Sequence, residues 1–183
     1  LHFSSAIFSA ALLLRHLQVV LLLGNHDLQY AYRVNAFESN LYTLEKEQLI
    51  TGVIGNEWLR FKSTHFTQGY LCSHAGIHPG LFKDKLDDIE GYCLEGLRRA
   101  KKGEHHPTLN VGEARGGVIG SVGGPYWLDW GDFVPIDGIS QIVGHSMYHH
   151  PLWKSGNLLL ESGYPYYAEI EEGVLFIKKQ GEV

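Results

Sequence analysis

Three short apolar runs, each followed directly by a glycine or serine and a histidine, most constrain what this chain of 183 residues can fold into. The polar groups that follow the runs are Gly-Asn-His-Asp at 24–27, Ser-His-Ala-Gly at 73–76 and Gly-His-Ser at 144–146. A short apolar run is typical of a strand covered on both faces, as in a sheet with helices on either side. Because such sheets bind ligands outside the carboxyl ends of their strands, the three groups predict one site at one sheet edge.

The rest of the pattern predicts an α/β fold that alternates helices and strands in a single domain over residues 1–183. Apolar residues recur at helical spacing over 3–14, and no linker or internal repeat divides the chain. The further predicted helices are 28–50, with a break near 38–40, and 81–102; the predicted strands are 18–23, 58–66, 69–73 and 139–143, followed by a meander of 157–161, 166–170 and 174–178. The glycine-rich segment 108–124 has no clear period and predicts a loop.

Composition argues against several classes of partner. Lys and Arg number 15 against 20 Asp and Glu, and basic residues cluster no further than 98–102, so we expect no nucleic-acid partner. The apolar stretch 1–23 is interrupted at positions 15 and 16, which leaves less than the roughly 20 residues of a membrane span, so we expect no membrane partner. The two cysteines, Cys72 and Cys93, form no disulfide framework, which favours a reducing, cytoplasmic location.

The residue types at the three strand ends point to metal chemistry. Imidazoles and an amide oxygen suit Mn, Fe, Ni or Zn, usually together with a carboxylate that balances the charge. A metal at this edge can act as a Lewis acid on a phosphoryl oxygen. The side chain of His26 is expected to point in a different direction from that of its neighbour Asn25. His26 is therefore free to act as an acid or as a hydrogen-bond donor to a phosphate. The alternative for Asn25 is a turn residue, since Gly-Asn is ordinary turn chemistry.

The three polar groups also resemble the motifs of one family. Gly-Asn-His-Asp at 24–27 resembles the G-N-H-(D/E) signature of calcineurin-like metallophosphoesterases. Ser-His-Ala-Gly at 73–76 resembles the next histidine motif in the phosphoprotein-phosphatase branch, and Gly-His-Ser at 144–146 is similar to the last one. Residues 124–130 resemble the Trp- and Asp-containing segment before that motif, and 160–163 stand where the branch often has Asp-x-Gly. The three histidine motifs occur in the family's order.

The resemblance covers roughly residues 18–178 and implies a four-layer α/β/β/α sandwich with two divalent metal ions, Mn, Fe, Zn or Ni. It implies that Asn25, His74 and His145 hold the second ion. It also implies that His26 contacts the phosphate and protonates the leaving oxygen. The implied activity is hydrolysis of a phosphate ester by a metal-bound hydroxide, as in serine/threonine phosphoprotein phosphatases, and the implied substrate is a phosphorylated protein or a nucleotide.

The chain departs from the family pattern in two places. No D-x-H and no G-D-x-x-D-R motif precedes residue 24, although these motifs supply most ligands of the first metal ion. We therefore expect a fold that is incomplete at its N-terminal side, with the first ion held mostly by residues that this chain lacks. Met147 stands where relatives outside the phosphoprotein-phosphatase branch place a second histidine, which favours that branch. His149 and His150 are open alternatives for this ligand.

Other interpretations remain open at the level of sequence. A dinucleoside polyphosphate hydrolase of the same fold and a catalytically inactive binding module are the alternative functions. Arg115, in the glycine-rich loop, is the candidate substrate-binding residue, as an anion contact. Asp27 is expected to cap a helix that begins near Leu28, in preference to a catalytic role. Cys72 is expected in the core and not as a nucleophile.

Overall fold

The computed structural model describes residues 19–32, 43–161 and 166–181 and has a mixed α/β architecture. Its main sheet has five strands in the order β1-β2-β3-β5-β4, and a separate hairpin has the strands β6 and β7. The strands are β1 Thr64–Thr67, β2 Tyr70–Ser73, β3 Ser140–Val143, β4 Leu152–Lys154, β5 Asn157–Leu159, β6 Tyr166–Glu171 and β7 Val174–Lys179. The pairs β2–β3 and β3–β5 are parallel, so these three strands end at the same edge of the sheet.

Four α-helices accompany the strands in the described residues. They are α1 Asn25–Tyr32, α2 Leu44–Ile54, α3 Pro79–Phe82 and α4 Ile89–Ala100. Short 3₁₀ turns occupy Gly55–Arg60, Leu86–Asp88, Pro107–Leu109, Glu113–Arg115 and Trp130–Asp132. Side chains satisfy free backbone groups at helix starts, as when the Asp88 carboxylate accepts the Gly91 N–H. None of the described helices is both long enough and apolar enough to cross a membrane.

Helix α4 packs one continuous stripe against the rest of the fold. Its buried positions follow the helical period, and they are Ile89, Cys93, Gly96, Leu97 and Ala100. The first part of the stripe packs with Leu71 of β2, and the last part packs with Leu23 at the start of α1. The helix therefore holds the ends of two apolar runs, 19–23 and β2, in one core.

A buried glutamine fastens the segment after β2 to β3. Gln141 accepts the Ile77 N–H at 2.9 Å and donates to the Ile77 carbonyl at 3.2 Å, and its own N–H donates to Asn157 Oδ1 at 2.8 Å. Gln141 and Asn157 are almost completely buried, so breaking one partner would leave a desolvated polar group. These bonds tie the segment after β2 and the first residue of β5 to the start of β3.

Two predicted elements at the N-terminal side differ from the structure or fall outside it. The apolar run 19–23 is extended but makes only one parallel bridge, from Leu22 to Lys62, and is not a strand of the main sheet. An apolar run predicts burial, and Leu23 is fully buried, yet the run does not specify a pairing partner. The predicted helix over 3–14 lies outside the described residues.

Several predicted boundaries are wrong for reasons of tertiary pairing. The predicted meander does not form, because β5 pairs with β3 and β4 while β6 and β7 make their own hairpin. Strand β4 was not predicted, and residues 58–66 begin as a 3₁₀ turn before β1. The helix predicted over 81–102 is divided by the turn Leu86–Asp88. The loop over 108–124 is confirmed apart from short turns.

We expect Gly96→Ala to destabilise the protein by about 1–3 kcal/mol, the usual range for overpacking a core. A Cβ at Gly96 would lie 2.0 Å from the Thr108 hydroxyl oxygen and 2.8 Å from His106 Nδ1, and both side chains are buried and bonded to each other. The free energy of unfolding in urea measures the change.

Gly52→Ala is the matched control in α2, because a Cβ there meets nothing within 4 Å. Since alanine favours a helix interior over glycine, this variant should be neutral or more stable by up to about 1 kcal/mol. Equal effects of the two substitutions would contradict the packing of α4 against the 107–109 turn.

Candidate functional site

Three of the residues singled out in the sequence meet at the strand ends. Asn25 is the first residue of α1, His74 directly follows β2, and His145 follows β3 by one residue. His74 Nε2 lies 2.9 Å from Asn25 Oδ1 and 3.1 Å from His145 Nδ1. These partners are 49 and 71 residues from His74 along the chain, so the tertiary fold brings them together.

Gly24 allows the close approach of α1 to His74. A Cβ at this position would lie 3.1 Å from two atoms of the His74 ring, tighter than ordinary contact. The Gly24 carbonyl accepts the Leu28 N–H at 3.3 Å, so Gly24 is the N-cap of α1. The prediction that Asp27 caps a helix beginning near Leu28 is wrong, because the cap and the first residue each lie three residues earlier, at Gly24 and Asn25. The Asp27 carboxylate accepts the Gly24 N–H at 2.8 Å, which is the N3 half of a capping box, and the Asp27 N–H donates to the Gly24 carbonyl at 3.1 Å.

His145 occupies a backbone conformation that residues other than glycine rarely adopt. Its φ is 72°, in the left-handed region. The residue before it, Gly144, donates its N–H to the His74 carbonyl at 2.8 Å, which ties the end of β3 to the end of β2. The left-handed turn then aims Nδ1 of His145 at His74.

Both imidazoles of the pair are neutral at pH 7. The pKa of His74 is lowered to about 4, mainly by burial and to a smaller extent by the Coulombic effects of His26 and Arg115. Burial also lowers the pKa of His145 to about 3, with added contributions from His74 and Arg115. A metal ion binds only the unprotonated imidazole, so the pair is in the form that a ligand requires.

The spacing of the three donor atoms fits neighbouring ligands of one metal ion. Two ligands about 2.1 Å from a metal and at right angles to each other lie about 3 Å apart. The observed separations from His74 Nε2 are 2.9 Å and 3.1 Å. The same distances are also those of hydrogen bonds, although the single proton of a His74 Nε2–H can serve only one of the two contacts fully.

The donor set is uncharged in the part of the chain that the structure describes. Residues 19–32, 43–161 and 166–181 contain no group of three or more His, Cys, Asp or Glu side chains placed to hold a metal ion. The set formed by Asn25, His74 and His145 has two histidines and an amide. The nearby carboxylates of Asp27 and Asp129 bond to Gly24 and Arg115. These residues therefore fit one ion, but without a carboxylate they would hold it weakly.

His26 and Arg115 lie near the pair, as the sequence predicted, but in different settings. His26 is exposed at the second position of α1. Nη2 of Arg115 contacts Asp129 Oδ2 and Ser146 Oγ, each at 2.8 Å, and the His145 carbonyl at 3.3 Å. The contacts of the Arg115 guanidinium are thus with neighbouring residues of the chain. Its role in substrate binding stays a prediction.

Sequence reasoning missed Asp129 and Ser146 as members of the site. Both stand inside quoted motifs, Asp129 in 124–130 and Ser146 in 144–146, but their hydrogen bonding to Arg115 has no sequence signal. The ring of Trp127 meets that of His145 edge-on at 6.0 Å between centroids. Among the described residues, His145 Nε2, Trp127 Nε1 and Arg115 Nε are buried nitrogens without a hydrogen-bond partner.

A cavity of about 390 Å³ opens beside His74 at the same sheet edge. Its wall includes Cys72, Gly144, Glu161 and Tyr166. Glu161, from the segment compared with Asp-x-Gly, lies next to the end of β3, with Oε2 3.4 Å from the point where a Gly144 Cβ would stand. The rest of that motif, at 162–163, lies outside the described residues.

The remaining sequence candidates have less connection to the pair. His149 and His150 are exposed, and no observation makes either a ligand. Cys72 is half-buried and free, and burial raises the pKa of its thiol, which agrees with the expectation that it is not a nucleophile. Of the sequence candidates, Asn25, His74 and His145 therefore form the cluster at the centre of the site.

Comparison with models of protein families, with curated proteins and with solved structures found no match. The likeness to metallophosphoesterases therefore depends on the motifs at 24–27, 73–76 and 144–146. Membership in that family stays a prediction, and the geometry of the three side chains is an independent observation.

We expect the protein to lose stability as the pH falls from 6.5 toward 4, partly because His74 resists protonation when folded. A histidine with a lowered pKa in the folded state costs nothing above its unfolded pKa near 6.5, and it costs on the order of 3 kcal/mol once the pH reaches about 4. His74→Gln should make this decline shallower. Unfolding free energies from urea titrations between pH 7 and pH 4 measure it.

His149→Gln is the matched control, because its side chain is exposed. If His74→Gln and His149→Gln show the same pH dependence as the unmodified chain, the burial of the His74 imidazole is not a source of acid sensitivity.

Proposed function

We propose that this chain is part of a metal-dependent phosphoesterase in which Asn25, His74 and His145 hold one divalent ion. The observation that carries the proposal is the convergence on His74 Nε2, after β2, of His145 Nδ1, after β3, and of the Asn25 amide oxygen, at the start of α1, at spacings of 3.1 Å and 2.9 Å. Mn, Fe, Zn and Ni suit these ligands. The proposal includes another divalent ion of the same kind, most of whose ligands would come from residues other than those of the motifs at 24–27, 73–76 and 144–146.

The proposed substrate is a phosphorylated group that binds at the start of α1, with a phosphoprotein as the first choice. The free N–H groups of a helix N-terminus favour an anion, and Arg115 adds a positive charge nearby. The bound ion would supply Lewis-acid polarisation of a phosphoryl oxygen. Exposed His26 would contact the phosphate and donate a proton to the leaving oxygen, as a general acid.

The finer architecture is proposed on the same grounds. The five-stranded sheet with α4 against it accounts for two layers of an α/β/β/α sandwich. The β6–β7 hairpin and the run 19–23 would belong to the second sheet. The proposal is supported by the position of Leu22 and Tyr166, which line the same cavity. A cytoplasmic location and a single domain over 1–183 stay predictions from the sequence.

One observation favours a second candidate, a binding module without catalytic activity. In the described residues the three donor atoms have no carboxylate partner, and Asp27 and Asp129 are engaged elsewhere. A neutral ligand set leaves the charge of a divalent ion unbalanced, which weakens its binding. Tight binding of an ion for catalysis therefore requires further carboxylates, whereas weak binding of an ion does not.

We expect Mn²⁺ to bind the purified chain at one site, with heat that disappears in His74→Ala. The substitution removes the donor that lies between the other two, so affinity should fall by at least about 100-fold, beyond the range for a residue that only supports a ligand. Isothermal titration calorimetry at pH 7.5 measures it. The exposed His149→Ala is the control, and an unchanged affinity in His74→Ala would remove the proposed site.

We expect His26→Ala to lower the turnover of p-nitrophenyl phosphate by about 10²–10⁴-fold with little change in Mn²⁺ affinity, because a general acid contributes to the rate and not to the ligand set. Steady-state kinetics with Mn²⁺, beside calorimetry on the same sample, measures both quantities. Equal losses of turnover and of Mn²⁺ affinity in His26→Ala would make His26 a ligand. If the unmodified chain binds Mn²⁺ but shows no turnover, the binding module is favoured.

A further inference from the structure

The Ser146 hydroxyl uses its full hydrogen-bonding capacity directly after His145. It accepts the Trp130 N–H at 2.8 Å and Nη2 of Arg115 at 2.8 Å, and it donates to Asp129 Oδ2 at 3.3 Å. A hydroxyl has one donor and two acceptor positions, so all three are filled. Ser146 is 3% exposed, and water cannot replace these partners freely.

Arg115 and Asp129 extend the contacts of Ser146 to the backbone of His145. Their side chains form an ion pair at 2.8 Å, and both are partly buried, with 27% and 22% exposed. Arg115 also donates to the His145 carbonyl at 3.3 Å. Arg115 therefore contacts both residues of the turn, the carbonyl of His145 and the hydroxyl of Ser146. We call Arg115, Asp129 and Ser146 the turn network.

His145 needs such support because its conformation is unfavourable. A histidine in the left-handed region persists only when the surroundings favour that conformation over the ordinary one. Its ring bonds to His74 through Nδ1, whereas Nε2 is buried without a partner among the described residues. The ring itself therefore has one hydrogen bond with which to resist relaxation. The stronger set of contacts acts on the backbone, through the turn network.

We propose that the turn network positions His145 as a ligand, by holding its backbone in the left-handed turn that directs Nδ1 at His74. Arg115, Asp129 and Ser146 are positioning residues in this proposal, and none of them touches the ion. The effect on metal binding rests on the function proposed above, but the effect on the direction of the His145 ring does not.

If the turn network had only a structural role, its loss would lower stability but leave the metal affinity of the folded protein unchanged. The test therefore compares two serines with different neighbours. Ser146→Ala removes the centre of the turn network. Ser121→Ala is the matched control, because its hydroxyl makes one bond, to the Val111 carbonyl at 2.7 Å in the same glycine-rich loop. Asp129→Asn is a second variant for the case that Ser146→Ala does not fold, because it keeps the shape and removes the charge.

The first readout is the Mn²⁺ dissociation constant of the folded full chain, measured by calorimetry below the melting temperature. We expect Ser146→Ala to weaken binding by about 10–100-fold, the usual effect of removing a group that orients a ligand. The dissociation constant of Ser121→Ala should stay within about 3-fold of that of the unmodified chain, even if its melting temperature falls as much as that of Ser146→Ala. Equal affinities in all three proteins would overturn the proposal.

The second readout needs no metal and separates this proposal from the function. Nitrogen-15 NMR of the imidazoles in the metal-free chain reports the contact between His74 Nε2 and His145 Nδ1. We expect Ser146→Ala or Asp129→Asn to shift both resonances toward those of an unpaired ring, and Ser121→Ala to leave them in place. If the unmodified chain binds no Mn²⁺ but these shifts occur, the function fails and the positioning stands. Unchanged resonances in Ser146→Ala would overturn the positioning itself.

Discussion

The parallel pairing of β2 and β3 is the constraint on which the rest of the site depends. The register places Cys72 opposite Ile142, and the Gly144 N–H then closes on the His74 carbonyl just beyond the strands. Strands that run in the same direction must end on the same side, so the two histidines project from adjacent points at one edge. Buried Gln141 maintains this relation through its bonds to Ile77.

Burial then sets the chemistry of that edge. Two imidazoles in contact, near the charges of Arg115 and His26, stay neutral because protonation of either would place an unpaired charge in a desolvated position. When both rings are neutral, one of these nitrogens can donate its N–H to the other, at the observed 3.1 Å between His74 Nε2 and His145 Nδ1. Arg115 can approach so closely because Asp129 compensates its charge. The turn network and the ligand pair are thus one electrostatic arrangement.

Much of this arrangement was predictable from local pattern. The ends of β2 and β3 were predicted to the residue, because apolar runs bounded by glycine or serine define where a strand leaves the core. The candidate residues His74 and His145 followed from those ends, and Asn25 followed from the end of the apolar run 19–23. The pairing of β5 was not predictable, because a strand of three residues does not specify its partner and only the packing of the sheet places it beside β3. Asp129 and Ser146 were missed since a hydrogen bond across the fold has no period.

The amino-acid sequence by itself determined the α/β class, the positions at which the apolar runs end, and the residue types that follow them. These are local properties, set by side-chain hydrophobicity and by the turn preferences of glycine. Only the tertiary structure decided that donor atoms 49 and 71 residues from His74 lie within 3.1 Å of its Nε2, and that His145 adopts a left-handed turn. Such features depend on strand register, burial and long-range hydrogen bonds, which arise only when distant segments exclude water together.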